Sequence, residues 1–250
     1  MADAGSAPAG VPAPAAPAGR CRPGAAGRTL PAGRCRPGAA PAGSCAGQRS
    51  LHPGVDPAPA VPLHPLIEAR RSPRAFDPSA DLDDATLRAL FEAARWAPSS
   101  GNLQPALYLL GRRGDVTHAR LLDVLKPRNR TWAAAASALA LGVARTADDT
   151  GRPVPHAVYD LGQATAQLAL QAVALDVAVH QMGGFDADAA RTAFDLAPHL
   201  QPQVVVALGR PGRVEDLPPD LQERERAPRR RRPLAETVFA GSWGTPAFGG

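Results

Sequence analysis

The chain has 250 residues, a length that suits one ordinary domain or two very small ones, and its 44% apolar content is enough for a sizeable core. Its formal charge of +5 invites a nucleic-acid or membrane-surface reading. However, residues 1–60 hold six Arg against two Asp, whereas residues 61–250 hold 22 Lys and Arg against 21 Asp and Glu. The long segment is close to neutral and needs no nucleic-acid partner, and no run approaches the ~18 apolar residues of a membrane span.

The first 60 residues are mainly Ala, Pro, Gly and Arg. PAGRCRPGAA at 17–26 returns at 31–40, and PAGSC follows at 41–45. Proline removes backbone donors and glycine adds freedom, with little apolar surface to bury. Residues 1–60 are therefore expected to form a disordered low-complexity extension. No continuous apolar stretch marks a signal peptide. Cys21, Cys35 and Cys45 are the chain's three cysteines, and they show no Cys-x-x-Cys pair or neighbouring His cluster. That spacing points to neither a disulfide framework nor a zinc site. Residues 61–250 have no cysteine, which fits a reducing cytoplasm. One Lys against 27 Arg marks a biased coding composition, and the sequence leaves open whether residues 1–60 are translated.

From residue 61 onward the elements follow one another closely. A short helix is expected over 63–70, ended by Pro73, which disfavours helical geometry at Ser72. Asp83 is a plausible N-cap for a stronger helix, in which Leu87, Leu90, Phe91 and Ala94 recur on one face until Pro98 stops it. The loop Ser99–Pro105 leads to a strand at 106–110, followed by a helix at 117–125. The Ala-, Leu- and Val-rich stretch 137–144 fits helix or strand by periodicity, and its alanines favour helix. A long, nearly apolar helix is expected at about 157–175, suited to a core or a subunit interface. A strand at 177–181 runs into Met182-Gly183-Gly184-Phe185-Asp186, and Asp186 or Asp188 can cap a helix at 187–195. Gln203–Leu208 is the clearest strand. Residues 210–250 are charged and proline-rich, with Arg229–Arg232 the densest basic run. Without a Gly-x-Gly-x-x-Gly or a phosphate-binding GxxxxGK[ST] segment, a helix-covered α+β domain fits better than a nucleotide-binding doubly wound sheet.

Three segments have the chemistry of a ligand site. Arg70, Arg71, Ser72 and Arg74 put three guanidinium groups within five residues, able to converge on a phosphate through bidentate, charge-assisted hydrogen bonds. An ordinary solvated patch is the competing reading. Pro98, Ser99, Ser100, Asn102 and Gln104 make a polar loop stiffened by proline, able to meet the edge of a planar heterocycle or simply to turn the chain. Met182, Gly183 and Gly184 allow close backbone approach to a ligand, or a tight turn alone. Neither a hydrolytic triad nor a metal-ligand spacing is present among the six scattered His residues.

Taken together, RRSPRAF at 70–76, LFEAARWAPSSGNLQP at 90–105, Asn129 with Trp132, YDLGQATAQLALQA at 159–172, HQMGGFD at 180–186, VVVALGRPG at 204–212 and RRRRPLAETV at 229–238 resemble the FMN-dependent nitroreductase family. They occur in the family's order over most of residues 61–240. The resemblance implies a three-layer α/β/α sandwich with a mainly antiparallel central sheet, and an FMN-binding domain over 61–250. It places Arg70, Arg71, Ser72 and Arg74, with Arg229 and Arg231, at the flavin phosphate. Pro98, Ser99, Ser100, Asn102 and Gln104 fall near the flavin and its ribityl chain, and Met182, Gly183 and Gly184 at the ring edge. It implies a cytoplasmic homodimer taking electrons from NADH or NADPH to a nitro compound, quinone or other small organic acceptor by ping-pong turnover. No side chain serves as a catalytic group in this scheme, because the hydride is transferred at the flavin itself. The alternative is a non-catalytic flavin-binding protein for storage or sensing. Two positions depart from the family pattern: Ala106 stands where an aromatic often follows Gln-Pro, and His180-Gln181 precedes the glycines.

Overall fold

One antiparallel sheet with two apolar faces organises the protein. The computed structural model describes residues 59 and 61–248, all within the unit Ala46–Gly250. Pro59 apart, the expected extension over 1–60 and its cysteines lie outside the described residues. The sheet is built from β1 (Ala106–Arg112), β2 (Ala138–Arg145), β3 (Ala178–Met182) and β4 (Leu200–Gly209), in the order β1-β2-β4-β3. Every neighbouring pair is antiparallel.

The stretch over 137–144, where alanine favoured helix, is strand β2. Its residues are buried from Ala138 to Ala144, because it is a central strand covered on both sides, and such strands read as continuous apolar runs. Period-two alternation survives in where the side chains go. Leu139, Leu141 and Val143 join one core cluster, while Ala138 and Ala140 join the other. The small side chains lie where helices pack closely on the sheet, so alanine here reflects space rather than helix propensity.

Helix α1 (Pro65–Ala69) and helix α2 (Asp84–Arg95) precede the sheet, and Asp83 caps α2 by accepting from the Thr86 N–H. The long helix α5 (Ala157–Ala174) lies with α2 on one face, where Leu87, Leu90, Leu168 and Ala172 pack against Val206 and Leu208. The opposite face is covered by α3 (Val116–Val124), α4 (Pro127–Ala133), α6 (Ala187–Ala193) and α7 (Pro219–Arg226). Leu121, Trp132, Ala190 and Leu221 enter the core there. Asp186, one of the two expected caps, accepts from the N–H groups of Asp188 and Ala189 to start α6. Helices α4 and α7 were not expected. Both begin at a proline, which breaks a helix interior but is well suited to the first helical position, where the lost N–H has no partner. Helix–sheet–helix layering is the α+β sandwich that the motifs implied. Among the described residues, no helix is long and apolar enough to cross a membrane.

Candidate functional site

The arginine turn starts where α1 ends, with Arg70 already extended. Beyond it, Ala75 and Phe76 are buried, and the Ala75 carbonyl accepts from Gly212 N–H at 2.9 Å. The turn is thus suspended between a helix end and a core anchor. Three side chains from distant elements then fix it. Glu225 of α7, 2% exposed, accepts from the Arg74 N–H at 3.1 Å and from the Arg74 guanidinium at 3.3 Å. His180 of β3 places Nδ1 3.1 Å from the carbonyl oxygen of Pro73. Because that carbonyl only accepts, Nδ1 carries the hydrogen. Arg229 donates to the carbonyl of Arg70 at 3.0 Å and to that of Glu68 at 2.8 Å.

Arg70 and Arg229 therefore meet although 159 positions separate them in sequence. Burial lowers the pKa of Arg70 below the ordinary arginine value, and the nearby charges of Arg229 and Arg231 lower it further. Arg71 shifts the same way for the same causes, opposed by Glu225. The charges of Arg229 and Arg231 thus bear on the arginine turn, an arrangement that favours a compact anion. The Arg70 guanidinium also donates to Ser72 Oγ at 3.3 Å. Arg231 stays exposed, donating to the carbonyl of Arg230 at 2.8 Å. Within the basic run, Arg229 thus secures main chain while Arg231 contributes charge.

Met182 is buried at the end of β3, and Gly183 and Gly184 follow beside the start of α4. The Gly184 carbonyl accepts from the Lys126 N–H at 3.0 Å and from Asn129 Nδ2 at 3.0 Å. A Cβ on Gly184 would come within 2.6 Å of Asn129 Nδ2, whereas one on Gly183 would meet nothing within 4 Å. Glycine at 184 leaves room for the Asn129 side chain, which would have to shift for a larger residue, and glycine at 183 borders open space. Since His180 is on the same strand, β3 links the arginine turn to the glycine pair. Burial, then the charge of Arg74, lowers the pKa of His180 to about 4. Trp132 packs on its ring with centroids 4.5 Å apart.

The third segment lies elsewhere. Pro98–Gln104 contains a single 3-10 turn, Ser100–Asn102, and Asn102 and Gln104 have φ of +55° and +48°. Left-handed geometry at such residues costs roughly 1–2 kcal/mol each, and it recurs where a loop shape serves a site. Ser99 Oγ accepts from the Gln104 N–H at 3.0 Å, and the buried Asp160 of α5 accepts from the Ser100 N–H at 3.1 Å. Beneath the loop is a cavity of about 170 Å³ between α2, β1 and α5, with Phe91, Pro98, Gln104, Ala106, Tyr108 and Asp160 in its wall. β1 and β3 are opposite edges of the sheet, so three strand spacings, ~14 Å, separate the strand that follows the loop from the strand that precedes the glycines. The fold therefore sets the arginine turn and the glycine pair along one edge strand and holds the loop at the other edge.

Known proteins are similar to this chain in sequence and fold. The nitroreductase family model matches residues 67–142, from α1 through the loop and β1 into β2. An uncharacterised 15.4 kDa protein of Mycolicibacterium smegmatis is 37% identical over 147 residues, covering 56% of this chain and 98% of that protein. A solved structure described as an oxidoreductase containing FMN is 33% identical, with a TM-score of 0.70 over 74% of this chain and 95% of its own. The chain belongs to the nitroreductase family. A nitroreductase family protein of Clostridium difficile, 21% identical, shares the fold with a TM-score of 0.55 over 71% of this chain and 96% of its own.

Nitroreductase-family motifs pointed to the arginines, loop and glycines, but not to the side chains that hold them. Glu225 lies within PDLQERER, where nothing local distinguishes the buried acid from its exposed neighbours. Asp160 gave a weak signal, an acid in the first turn of an otherwise apolar helix. Asn129 belonged to the quoted motifs without a role, and His180 stood out only as a departure from the family pattern.

Proposed function

We propose that this nitroreductase-family protein is an FMN-dependent oxidoreductase. It takes reducing equivalents from NADH or NADPH and passes them to a nitro compound, quinone or other small organic acceptor in ping-pong fashion. The observation that carries the reading is the meeting of the arginine turn with the C-terminal basic run, at Arg229 and the Arg70 carbonyl. Two features fit a cofactor with a phosphate at one end and a flat ring at the other. The crowded guanidinium groups suit a dianion, and the missing side chain at Gly183 leaves space along the backbone three residues beyond His180, on whose ring Trp132 packs.

FMN, when bound, supplies the two-electron carrier, and the protein supplies position and electrostatics. Arg70, Arg71, Ser72, Arg74 and Arg231 would hold the phosphate, with Arg229 fastening the two arginine segments together. Met182, Gly183 and Gly184 would offer backbone to the ring edge, where a main-chain N–H tunes the reduction potential. Pro98, Ser99, Ser100, Asn102 and Gln104 would complete the wall. The resemblance supports a homodimer, and the cysteine-free segment 61–250 fits a reducing cytoplasm. The placement of the loop at the far edge of the sheet supports a site in which the loop of one copy faces the arginine edge of the other.

Absorbance spectroscopy tests the reading. Purified protein supplied with FMN is expected to be yellow, to bleach on anaerobic addition of NADH or NADPH, and to regain colour repeatedly with a soluble acceptor. A colourless protein refutes flavin binding, and one that bleaches but is not reoxidised is a non-catalytic flavin carrier.

A further inference from the structure

Buried carboxylates are expensive, and Glu225 has a particular set of neighbours. Its side chain is 3% exposed in the pair with Arg74. By contrast, the carboxylates paired with Arg95, Arg112 and Arg128 are 52%, 66% and 64% exposed. Those are surface pairs of small worth, whereas taking a carboxylate out of water is repaid only when its partners hold it closely. Glu225 uses both oxygens on Arg74, one on the backbone N–H and one on the guanidinium. Its charge also reaches Arg71, where it opposes the depression caused by Arg229 and Arg231.

We propose that Glu225 is a resident counter-ion of the arginine site, neutralising Arg74 when no phosphate does and competing with an incoming phosphate for it. The inference rests on the flavin-phosphate reading given above. A phosphate at Arg74 brings about two negative charges toward a carboxylate that already occupies the guanidinium. Part of the attraction between phosphate and arginines is then spent against Glu225. The residue thereby stabilises the protein before the cofactor arrives and limits how tightly the cofactor is held. Reciprocity requires the two effects to have one origin: whatever weakens the ligand-free protein and is cancelled by phosphate must appear as tighter phosphate binding.

Glu225→Gln separates charge from shape, since its amide oxygen still accepts from the Arg74 N–H. Thermal melts and flavin titrations of flavin-stripped protein are compared for the parent chain, E225Q and Glu225→Asp, using FMN, inorganic phosphate and riboflavin. Without ligand, E225Q is expected to melt several degrees below the parent. FMN or inorganic phosphate closes that gap, whereas riboflavin, which lacks the phosphate, leaves it open. The Kd for FMN falls by about fivefold or more, the Kd for riboflavin is unchanged, and E225D behaves like the parent.

The proposal is overturned if the melting gap persists with saturating FMN, if E225Q binds FMN more weakly, or if both flavins shift together. If E225Q folds only when FMN is supplied, exchange in the FMN-bound protein decides: slower release of FMN than from the parent chain supports the counter-ion role, and equal or faster release refutes it. Failure to fold even with saturating FMN refutes it. A parent chain that binds FMN no more tightly than riboflavin instead overturns the phosphate reading itself.

Discussion

Arg74 shows how a buried neighbour alters what a substitution reports. Read from the motif alone, Arg74→Ala removes a phosphate contact and little else. Its pairing with the buried Glu225 means that the alanine variant also strands a carboxylate inside the protein, at a cost of about 3–5 kcal/mol. Arg231 is exposed and donates to the carbonyl of its neighbour Arg230, so it is the cleaner probe. Arg231→Ala is expected to weaken FMN binding about tenfold, the lower end for a charge-assisted hydrogen bond, with an unchanged melting temperature. Arg74→Ala is expected to lose both affinity and stability. Parallel flavin titrations and melts of the two variants check this, and an unaltered FMN affinity in Arg231→Ala would remove that residue from the site.

Among the elements, β3 has the widest influence because it touches the arginine turn through His180 and ends at the glycine pair. With its pKa near 4, His180 is neutral at neutral pH. The unfolded chain, with an ordinary histidine pKa of about 6.5, binds a proton that the folded chain does not. Stability is therefore complete above about pH 6.5 and falls as the pH drops toward 4, by roughly 3 kcal/mol from this group. Burial moves His118 in the same direction and adds to the slope. His180→Asn keeps a donor for the Pro73 carbonyl without the titration, so urea unfolding at pH 7 and pH 4.5 should show a shallower loss in the variant. Equal losses would mean that the protonation of His180 has no part in acid sensitivity. β2 illustrates how far an element can be read locally. Its apolar run was visible, but whether it was helix or strand depended on being covered from both sides.

At the scale of the molecule, the separation of the loop from the arginine edge is what the proposed homodimer would bridge. Val158 and Tyr159, at the start of α5, are 44% and 69% exposed, and Trp96, Leu103 and Leu107 are exposed just past the end of α2, on the loop and on β1. These elements meet around the loop and its cavity, and an apolar surface of this kind is what a second copy would cover. Sedimentation of the FMN-bound protein should give a mass about twice that of one 25.9 kDa chain. Tyr159→Glu is expected to dissociate it and to release flavin together. A monomer that retains FMN would refute a site shared between copies.

Composition, taken segment by segment, already separated a basic, repetitive leader from a near-neutral domain, and the chain order of short motifs was sufficient to indicate the family. Those features are legible because they are local: a proline after Ser72, paired glycines after a strand, an aspartate before an apolar periodicity. Tertiary structure alone decided that 138–145 is a strand, that Arg229 fastens main chain while Arg231 contributes charge, and that Glu225 and Asp160 hold the segments in place. The common physical reason is burial. A carboxylate in a charged run or an alanine in an apolar run has no fixed meaning until the fold determines what surrounds it. The basic runs of residues 61–250 likewise change meaning in three dimensions, where Arg229 reaches the Arg70 carbonyl and Arg74 sits on the buried Glu225.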